Sequence, residues 1–474
     1  MPPELLMSFK PTITVFADGD DLLAADEDRH ALRLIAPAAP LRRLLEALQA
    51  GAQSAASLCR SEPGDPDAEI LPVVLQRLAD KGFLRLTWMI GERRLATLEP
   101  SATFRVQEPA LTGRFRLSRF AFLRREDDAM IVESGLGHAH LVLHDEILAG
   151  LTSRLARPYD AEELSRCTPE SGDEAFSGAA ATTLLWLLVN AGAAFACDEQ
   201  GQIEEDQRTA LRQWEFHDLL FHSRSRAGRY GRPFGVPFRF LGKIPALPAS
   251  KPPMSATRIA LPRPDLEALA RSDPPFSAVS ESRASLRPDR RLPLTLDQLA
   301  EFLYRSLRMR KLLPAQPEKG HHYEASFRPC CSGGAIHPLE AYLAVQQVEG
   351  LAPGFYHYDA RDHVLEHLSG LTPPVQRLLA DTSAAMNLAG PADVSLTLAA
   401  RVPRVTWKYQ SFAYALILKD VGALYQQMNL VATAQGLAAC AIGTGNFEAF
   451  AQASGLDPCE ETAVGEFVLC GRPA

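Results

Sequence analysis

Three short segments in the C-terminal part of the chain combine residue types that can do chemistry. The first holds Arg283, Ser285 and Arg287, which alternate just before a predicted helix. On an extended segment, two guanidinium groups and a hydroxyl can converge on one phosphate, because each guanidinium donates to two oxygens at once. From spacing alone, the same residues could instead form an exposed basic turn.

The second segment is the turn Ser332-Gly333-Gly334, which follows the adjacent pair Cys330-Cys331. Glycines let the backbone approach a flat ligand closely, and the N–H groups of such a turn can face carbonyl or phosphate oxygens. An ordinary turn is the alternative interpretation. The two cysteines are expected to be free and at least half-buried, since a disulfide between adjacent residues is strained.

The third segment places Lys408 beside Tyr409, and the small residues Gly443, Thr444 and Gly445 follow downstream. A lysine and a tyrosine side by side can serve as a general acid/base unit if their environment shifts their pKa values. A lysine that acts as a base must be neutral, which requires a lowered pKa. A surface lysine beside a packing tyrosine is the alternative, and the residues do not decide which of the pair would be the base.

Other common catalytic signatures are absent from the sequence. No C-x-x-C pair, G-x-G-x-x-G fingerprint or P-loop motif occurs, and the eight cysteines are scattered. His138 and His140 share one face of a predicted strand, but no third ligand lies near them in the sequence. We therefore expect no metal site, no Rossmann-type nucleotide domain and no P-loop enzyme.

Composition and charge indicate an ordinary globular protein. The 474 residues are 46% hydrophobic and 22% charged, which suggests about three domains. A net charge of −8 argues against non-specific nucleic-acid binding. No signal peptide is predicted, and the uncharged run 177–197 is interpreted as a buried helix followed by a turn and a strand, not as a membrane span. The expected setting is the cytoplasm.

The first 210 residues are predicted to form two winged-helix-like modules, at residues 1–105 and 106–210. In the first, amphipathic helices precede a hairpin that turns at Gly91, and a similar order recurs about 110 residues later. An aromatic and arginine-rich segment with a proline-rich linker follows at residues 211–275. From Leu241 to Pro275, eight prolines are expected to interrupt any regular element. Residues 276–474 mix strands with a long central helix, which predicts an α+β fold.

Four collinear blocks of the C-terminal part resemble the flavin-dependent nitroreductase superfamily. They are most similar to its thiazole/oxazole-forming dehydrogenase branch, the SagB-type or McbC-like proteins. The blocks are RASLR, FRPCCSGGAIHPLEAYL, GFYHYDARDHVLEHL, and the stretch from WKYQSFAY to GTGN with ETAVGEFVLCG after it. The segments RLSRFAFLRR and QWEFHDLLFHSRSRAGR extend the similarity into the N-terminal half.

The resemblance implies a nitroreductase-like domain that binds FMN at a homodimer interface. By motif, the cofactor-binding residues would be Arg283, Ser285 and Arg287 at the phosphate, Ser332, Gly333 and Gly334 along the isoalloxazine, and Gly443, Thr444 and Gly445 on its other side. Lys408 and Tyr409 match the catalytic pair of the branch. Cys331 stands where the branch commonly has proline, and Cys470 lies in an ending that usually has small residues. These departures concern the shape of the substrate pocket.

The activity implied by the resemblance is oxidation of azoline rings to azoles in the maturation of a ribosomal peptide natural product. The N-terminal modules would bind a precursor peptide or a cyclodehydratase partner, and oxygen would reoxidise the flavin. The alternatives are an NAD(P)H-dependent nitro- or ene-reductase of small molecules, and a non-catalytic scaffold that binds a peptide or partner. The sequence decides neither thiazoline against oxazoline nor peptide against another amino-acid-derived substrate.

Overall fold

The computed structural model describes residues 2, 5–25, 31–60, 69–167, 178–229, 234–288, 290–388 and 390–474. The chain divides into two compact units, residues 1–233 and residues 234–474. No helix in the described ranges has both the length and the apolar character needed to cross a membrane.

The first unit combines twelve strands and nine helices among its described residues. Its strands are β1 Leu5–Phe9, β2 Thr14–Asp18, β3 Asp21–Ala25, β4 Ala31–Leu34, β5 Gln53–Ser54, β6 Leu84–Ile90, β7 Arg93–Pro100, β8 Phe115–Leu117, β9 Ala121–Glu126, β10 Ala129–Ser134, β11 Ala139–Leu143 and β12 Ala194–Ala196. Its helices are α1 Ala39–Ala50, α2 Ala55–Leu58, α3 Leu71–Asp80, α4 Glu146–Arg154, α5 Ala161–Ser165, α6 Gly178–Asn190, α7 Glu204–Gln207, α8 Thr209–Arg212 and α9 Phe216–Arg224.

One antiparallel sheet spans both halves of the first unit, with strand order β5-β1-β6-β7-β11-β10-β9. The halves join where β7 pairs with β11, so the two segments predicted as modules share one sheet and one apolar core. The predicted hairpin is confirmed, because β6 and β7 pair across the turn at Gly91. The uncharged run is also confirmed as the buried helix α6 followed by β12. That each half is a winged helix stays a prediction.

The second unit is built on another seven-stranded antiparallel sheet. The strands of the unit are β13 Arg258–Ala260, β14 Lys311–Leu313, β15 Ala325–Phe327, β16 Leu339–Val345, β17 Gly354–Asp359, β18 Val364–Ser369, β19 Val394–Arg401, β20 Ala438–Ile442 and β21 Glu461–Cys470, of which β14 and β15 pair with each other in a separate small sheet. Its helices are α10 Leu266–Ser272, α11 Phe276–Ser282, α12 Leu296–Leu307, α13 Pro373–Ala385, α14 Val402–Thr406, α15 Ala413–Gln435 and α16 Phe447–Ser454. The strand order of the large sheet is β13-β18-β17-β16-β19-β21-β20.

Helices cover both faces of this sheet, which is why its central strands are apolar on both sides. Leu343 of β16 packs into a core with α12 and α15, whereas its neighbour Tyr342 packs into a second core with α13 and α16. Helix α15 ends at Gly436, whose left-handed φ of 68° suits glycine. The mixed helix-and-sheet architecture expected for this part is therefore confirmed.

The linker segment differs from expectation. Prolines were expected to interrupt every regular element between residues 241 and 275, yet β13 and α10 lie there. Strand β13 pairs with β18 at the edge of the large sheet, and Asp265 caps α10 by accepting hydrogen bonds from Glu267 and Ala268. The prolines flank these short elements without interrupting them, as proline tolerates sheet edges and helix starts.

Candidate active site

Helix α15 is the element against which the candidate residues are arranged. It is 23 residues long and begins four residues after Tyr409, with Ile417 and Met428 fully buried against the sheet. Leu416 and Asp420 lie against the Ser-Gly-Gly turn, whereas Val421 and Tyr425 lie against Gly465 of β21. Different sides of one rigid helix therefore support different candidate segments.

The Ser-Gly-Gly turn is held by one carboxylate of α15. Ser332 Oγ donates to Asp420 Oδ2 at 2.6 Å, and the Gly333 N–H donates to Asp420 Oδ1 at 3.2 Å. Ser332 Oγ also accepts a hydrogen bond from the His337 N–H at 2.9 Å. Burial raises the pKa of Asp420, although the bonds from Ser332 and Gly333 counteract it. The turn is thus fixed before any ligand arrives.

Gly334 is where the second and third sequence segments meet. A Cβ atom added to Gly334 would lie 2.6 Å from Lys408 Nζ, 2.6 Å from the Tyr409 hydroxyl and 3.1 Å from the Tyr323 hydroxyl. Gly334 also has a φ of 64°, a left-handed conformation that side chains disfavour. The structure therefore brings the Lys408–Tyr409 pair directly onto the turn.

Tyr323 is a member of this cluster that the sequence analysis missed. Lys408 Nζ donates to the Tyr323 hydroxyl at 2.6 Å, and that hydroxyl donates to the Gly334 carbonyl oxygen at 2.8 Å. Tyr323 lies 85 residues before Lys408, within a stretch that carries no recognisable motif. Only the fold could have identified it.

The environment of Lys408 acts on its pKa in two opposing ways. Partial burial lowers it, but hydrogen bonds with Tyr323 and Tyr409 outweigh burial and leave the pKa raised. The half-buried amine is therefore an ammonium ion at neutral pH. The lowered pKa that a lysine base requires is not present in this structure.

Replacing Gly334 with alanine should destabilise the domain and displace Lys408. The left-handed backbone alone costs an alanine about 1 kcal/mol, and its methyl group would overlap the lysine amine. We expect a lower urea midpoint and faster reductive methylation of Lys408 in the full chain. Gly370→Ala is the matched control, since no atom lies within 4 Å of a Cβ there. Equal behaviour of the two variants would contradict this description of the turn.

The small residues Gly443, Thr444 and Gly445 line a separate cleft of about 340 Å³. Its other lining residues come from α15, α16 and β21 and include Tyr414, Tyr425, Phe447 and Glu466. A side chain at Gly445 would overlap the Glu466 carboxyl group and would have to displace it. Tyr425 donates to the Ile442 carbonyl oxygen at 3.3 Å and so ties α15 to the start of this segment.

Glu466 is a second residue that the sequence analysis missed. Its side chain is 6% exposed, and burial raises its pKa to about 7. No feature of the sequence around Glu466 indicated a carboxyl group facing a cleft. A carboxyl that titrates near neutral pH in a cleft is a candidate proton carrier.

Replacing Glu466 with glutamine should stabilise the protein above neutral pH. Below about pH 4.5 the carboxyl is protonated in both states, so the substitution changes little. Between that pH and about 7 the unfolded chain ionises first. The native state is therefore destabilised relative to the unfolded chain by about 3 kcal/mol, and glutamine avoids this loss of stability. Urea midpoints at about pH 5 and about pH 8 measure this difference. The exposed Glu460→Gln serves as control, and a gain equal at both pH values would refute the burial argument.

The Arg283 segment is an extended strap between α11 and α12. The Leu286 N–H donates to the Ala439 carbonyl oxygen of β20 at 3.2 Å, so the strap lies beside the strand that leads to Gly443. Arg283 is half-buried, and Ser285 and Arg287 are exposed. Within the described ranges, neither guanidinium forms an ion pair or a side-chain hydrogen bond. The alternating spacing thus leaves both cations available to an anion.

The three sequence segments, with Gly443–Gly445 counted as a fourth, form two groups in this structure. The turn at Ser332 meets Lys408 and Tyr409 near the start of α15, while the Arg283 strap and Gly443–Gly445 lie along β20. In the part of the chain that the structure describes, no hydrogen bond joins the two groups. A ligand that used all four segments would have to extend from one group to the other.

The adjacent cysteines are free thiols, as expected, but one expectation about them is wrong. Cys330 is half-buried and its burial raises its pKa to about 12, whereas Cys331 is exposed instead of at least half-buried. The Cys330 thiol donates to the Cys331 carbonyl oxygen at 3.4 Å. Cys331 faces outward because the chain turns there into the Ser-Gly-Gly segment.

Comparison with known proteins yields two family matches. Residues 281–470 match the nitroreductase family, and residues 115–231 match cyanobactin oxidase ThcOx. A protein of Methanocaldococcus jannaschii that carries the name nitroreductase is 28% identical over 180 residues. That alignment covers 38% of this chain and 81% of the relative.

The solved structures that match this chain are more distant in sequence. A protein of Ralstonia eutropha JMP134 named as a nitroreductase is 22% identical, with 51% of this chain and 99% of that chain covered and a TM-score of 0.35. The E. coli microcin synthetase McbBCD complex with truncated pro-MccB17 is 21% identical, with 50% and 91% covered and a TM-score of 0.34. A nitroreductase-named protein of Desulfovibrio desulfuricans in complex with FMN is 17% identical, with 43% and 88% covered and a TM-score of 0.26.

All three TM-scores are below 0.5, so the family assignment rests on the sequence matches. The chain is an oxidoreductase with a nitroreductase-family domain at residues 281–470. Residues 115–231 match the cyanobactin oxidase ThcOx model, and together the two matches agree with the SagB-type, McbC-like resemblance of the sequence.

Proposed function

We propose that this chain is an FMN-dependent dehydrogenase that oxidises azoline rings to azoles during maturation of a ribosomal peptide natural product. The observation that carries the proposal is the meeting of Lys408 and Tyr409 with the glycine of the Ser-Gly-Gly turn. An acid/base pair lies there against the backbone of an exposed glycine. The match of the N-terminal half to a cyanobactin oxidase supports a peptide substrate.

The residues present fit FMN. Arg283 and Arg287 have guanidinium groups without protein partners among the described residues, and Ser285 alternates with them on the same strap, as a phosphate site requires. The nearby cleft has a glycine floor at Gly443 and Gly445 and aromatic walls that suit a planar ring system. When bound, FMN would take the two electrons that leave the azoline as a hydride.

The protein's own contribution is to orient the azoline and move its proton. Asp420 keeps the Ser-Gly-Gly turn in place, and the turn in turn positions Lys408 and Tyr409 against the site of reaction. Oxidation of an azoline to an azole removes one hydride and one proton. Holding the ring against Gly334 would place that proton within reach of the pair.

We further propose that two copies of the chain form each site. The phosphate-binding and ring-binding segments divide into two groups in one copy, and a homodimer would bring a group from each copy together.

The proposed domains remain residues 1–105, 106–210, 211–275 and 276–474. The first two would bind a precursor peptide or a cyclodehydratase partner by adding a strand to a sheet edge, such as that of β9. The eight free cysteines suit a reducing cytoplasm.

Purified full-length protein tests the proposal directly. The expected result is a yellow protein that releases FMN on denaturation and removes two daltons from a synthetic azoline peptide, with oxygen consumed. Absorbance measures the released FMN, and mass spectrometry measures the two-dalton loss from the peptide. Protein that stays colourless after addition of FMN would contradict the proposal and favour a binding scaffold.

A second candidate is an NAD(P)H-dependent nitro- or ene-reductase of small molecules. The similarity to the M. jannaschii nitroreductase-named protein favours it. That similarity extends over 180 residues, which is about the length of the matched family domain at residues 281–470. The test is anaerobic addition of NADPH to the FMN-loaded protein. Rapid bleaching without any oxidation of azoline peptide would replace the first proposal with this one.

A further inference from the structure

Lys408 lies inside a ring of aromatic side chains. Its Nζ is 4.7 Å from the ring centroid of Tyr323, 4.9 Å from that of Tyr409 and 5.9 Å from that of Phe238. The faces of aromatic rings attract cations and give nothing to a neutral amine. This surrounding therefore selects the protonated form of the lysine.

The hydroxyl of Tyr323 adds a directed contact to the ring. It accepts from Lys408 Nζ at 2.6 Å and donates to the Gly334 carbonyl oxygen at 2.8 Å. Because the hydroxyl proton is used on the carbonyl, the oxygen lone pairs face the lysine, which must supply the proton of that bond. The chain of two hydrogen bonds links the amine to the Ser-Gly-Gly turn.

We propose that Tyr323 is a positioning residue that holds Lys408 as an ammonium ion on the Ser-Gly-Gly turn, which leaves Tyr409 as the proton acceptor. The catalytic meaning of this inference rests on the proposed function. An ammonium ion has no lone pair, so the proton that the azoline loses goes to the Tyr409 oxygen, which receives it as a phenolate and becomes a neutral hydroxyl. Lys408 instead donates a hydrogen bond, for which the ring nitrogen of the azoline is a suitable acceptor.

No carboxylate among the described residues pairs with Lys408. The titratable groups that face it are Tyr323, from the loop before β15, and Tyr409, from the segment before α15. Phe238, from the segment after residue 234, completes the ring and packs edge-on against His322. The state of the lysine therefore depends on the three rings and the Tyr323 hydroxyl, which makes that hydroxyl the group to remove.

The test is the titration of the Lys408 amine in the full chain as purified, without substrate. Reductive methylation with labelled formaldehyde, followed by peptide mass spectrometry, gives the extent of labelling from about pH 7 to about pH 11. In Tyr323→Phe we expect the midpoint to move to lower pH, with about threefold more labelling of Lys408 below the midpoint. Phe238→Leu should move it in the same direction.

Tyr304→Phe is the control, because it also removes one tyrosine hydroxyl and that ring contacts Arg308 and His363 instead. A change in accessibility alone would scale labelling at every pH without moving the midpoint. An unmoved midpoint in Tyr323→Phe would overturn the inference. If the midpoint shifts in Tyr323→Phe but the wild-type protein oxidises no azoline, the proposed function is refuted and the Lys408 assignment stays intact.

The pH dependence of turnover provides the catalytic readout. In the FMN-loaded enzyme, Tyr323→Phe should shift the alkaline limb of the rate profile to lower pH, since the donor form of Lys408 is lost earlier. A merely structural role for Tyr323 would lower the rate at all pH values equally. An alkaline limb at the wild-type position would therefore contradict the positioning role.

Discussion

Azoline oxidation should fall by about 10²- to 10³-fold in Lys408→Ala and in Tyr409→Phe, as expected for removal of a positioned proton-transfer group. Both side chains lie on Gly334, where a ring held against the turn would contact them. Neither residue belongs to the Arg283 strap or the Gly443 cleft, so both variants should retain FMN. The measurement is the rate of two-dalton mass loss from an azoline peptide, with FMN content determined in parallel.

Lys408→Arg separates the two roles of the pair. Arginine keeps a cationic donor but cannot act as a base, since it stays protonated. If Lys408 donates a hydrogen bond, Lys408→Arg should retain more activity than Lys408→Ala. Wild-type rates in both Lys408→Ala and Tyr409→Phe would refute their assignment as the catalytic pair.

Replacing Arg283 and Arg287 together with alanine should weaken FMN binding by about 10²-fold, because each guanidinium–phosphate contact contributes on the order of 1–2 kcal/mol. The two arginines have no protein partner within the described ranges, so their loss should change the stability of the apoprotein little. Fluorescence titration of FMN into the apoprotein measures the affinity. Riboflavin, which lacks the phosphate, should bind both proteins equally.

Arg290→Ala is the control for this double variant, since Arg290 is an exposed arginine of the same strap outside the alternating motif. It removes a positive charge from the same region without removing a proposed phosphate ligand. FMN affinity that drops equally for Arg290→Ala would indicate general electrostatic attraction. Unchanged affinity in the double variant would show that the phosphate lies elsewhere.

Local pattern predicted most elements of the second unit. The helix predicted after Arg287 and the long central helix are present as α12 and α15, and the block GFYHYDARDHVLEHL forms the hairpin of β17 and β18. These elements are predictable because period and turn residues are properties of contiguous sequence. The expectation for the linker failed because eight prolines were counted without regard to position, and proline is tolerated at the edges of elements.

The roles within the candidate site could be predicted only in part. Lys408 and Tyr409 are adjacent in sequence, so their pairing needed no fold, and the Ser-Gly-Gly turn was recognisable from its small residues. The sign of the pKa shift at Lys408 was not predictable, since it depends on Tyr323, which is distant in sequence. Glu466 was missed because its burial follows from β21 lying inside the sheet.

The sequence by itself determined the class of the C-terminal domain and the segments that carry its chemistry, because motif residues and hydrophobic periods are local. Tertiary structure alone decided which segments meet: the turn with Lys408 and Tyr409, and the Arg283 strap with β20. It also decided that the lysine is a cation, because charge depends on what surrounds the amine in three dimensions. Neighbours brought together across 85 residues of chain cannot be deduced from spacing.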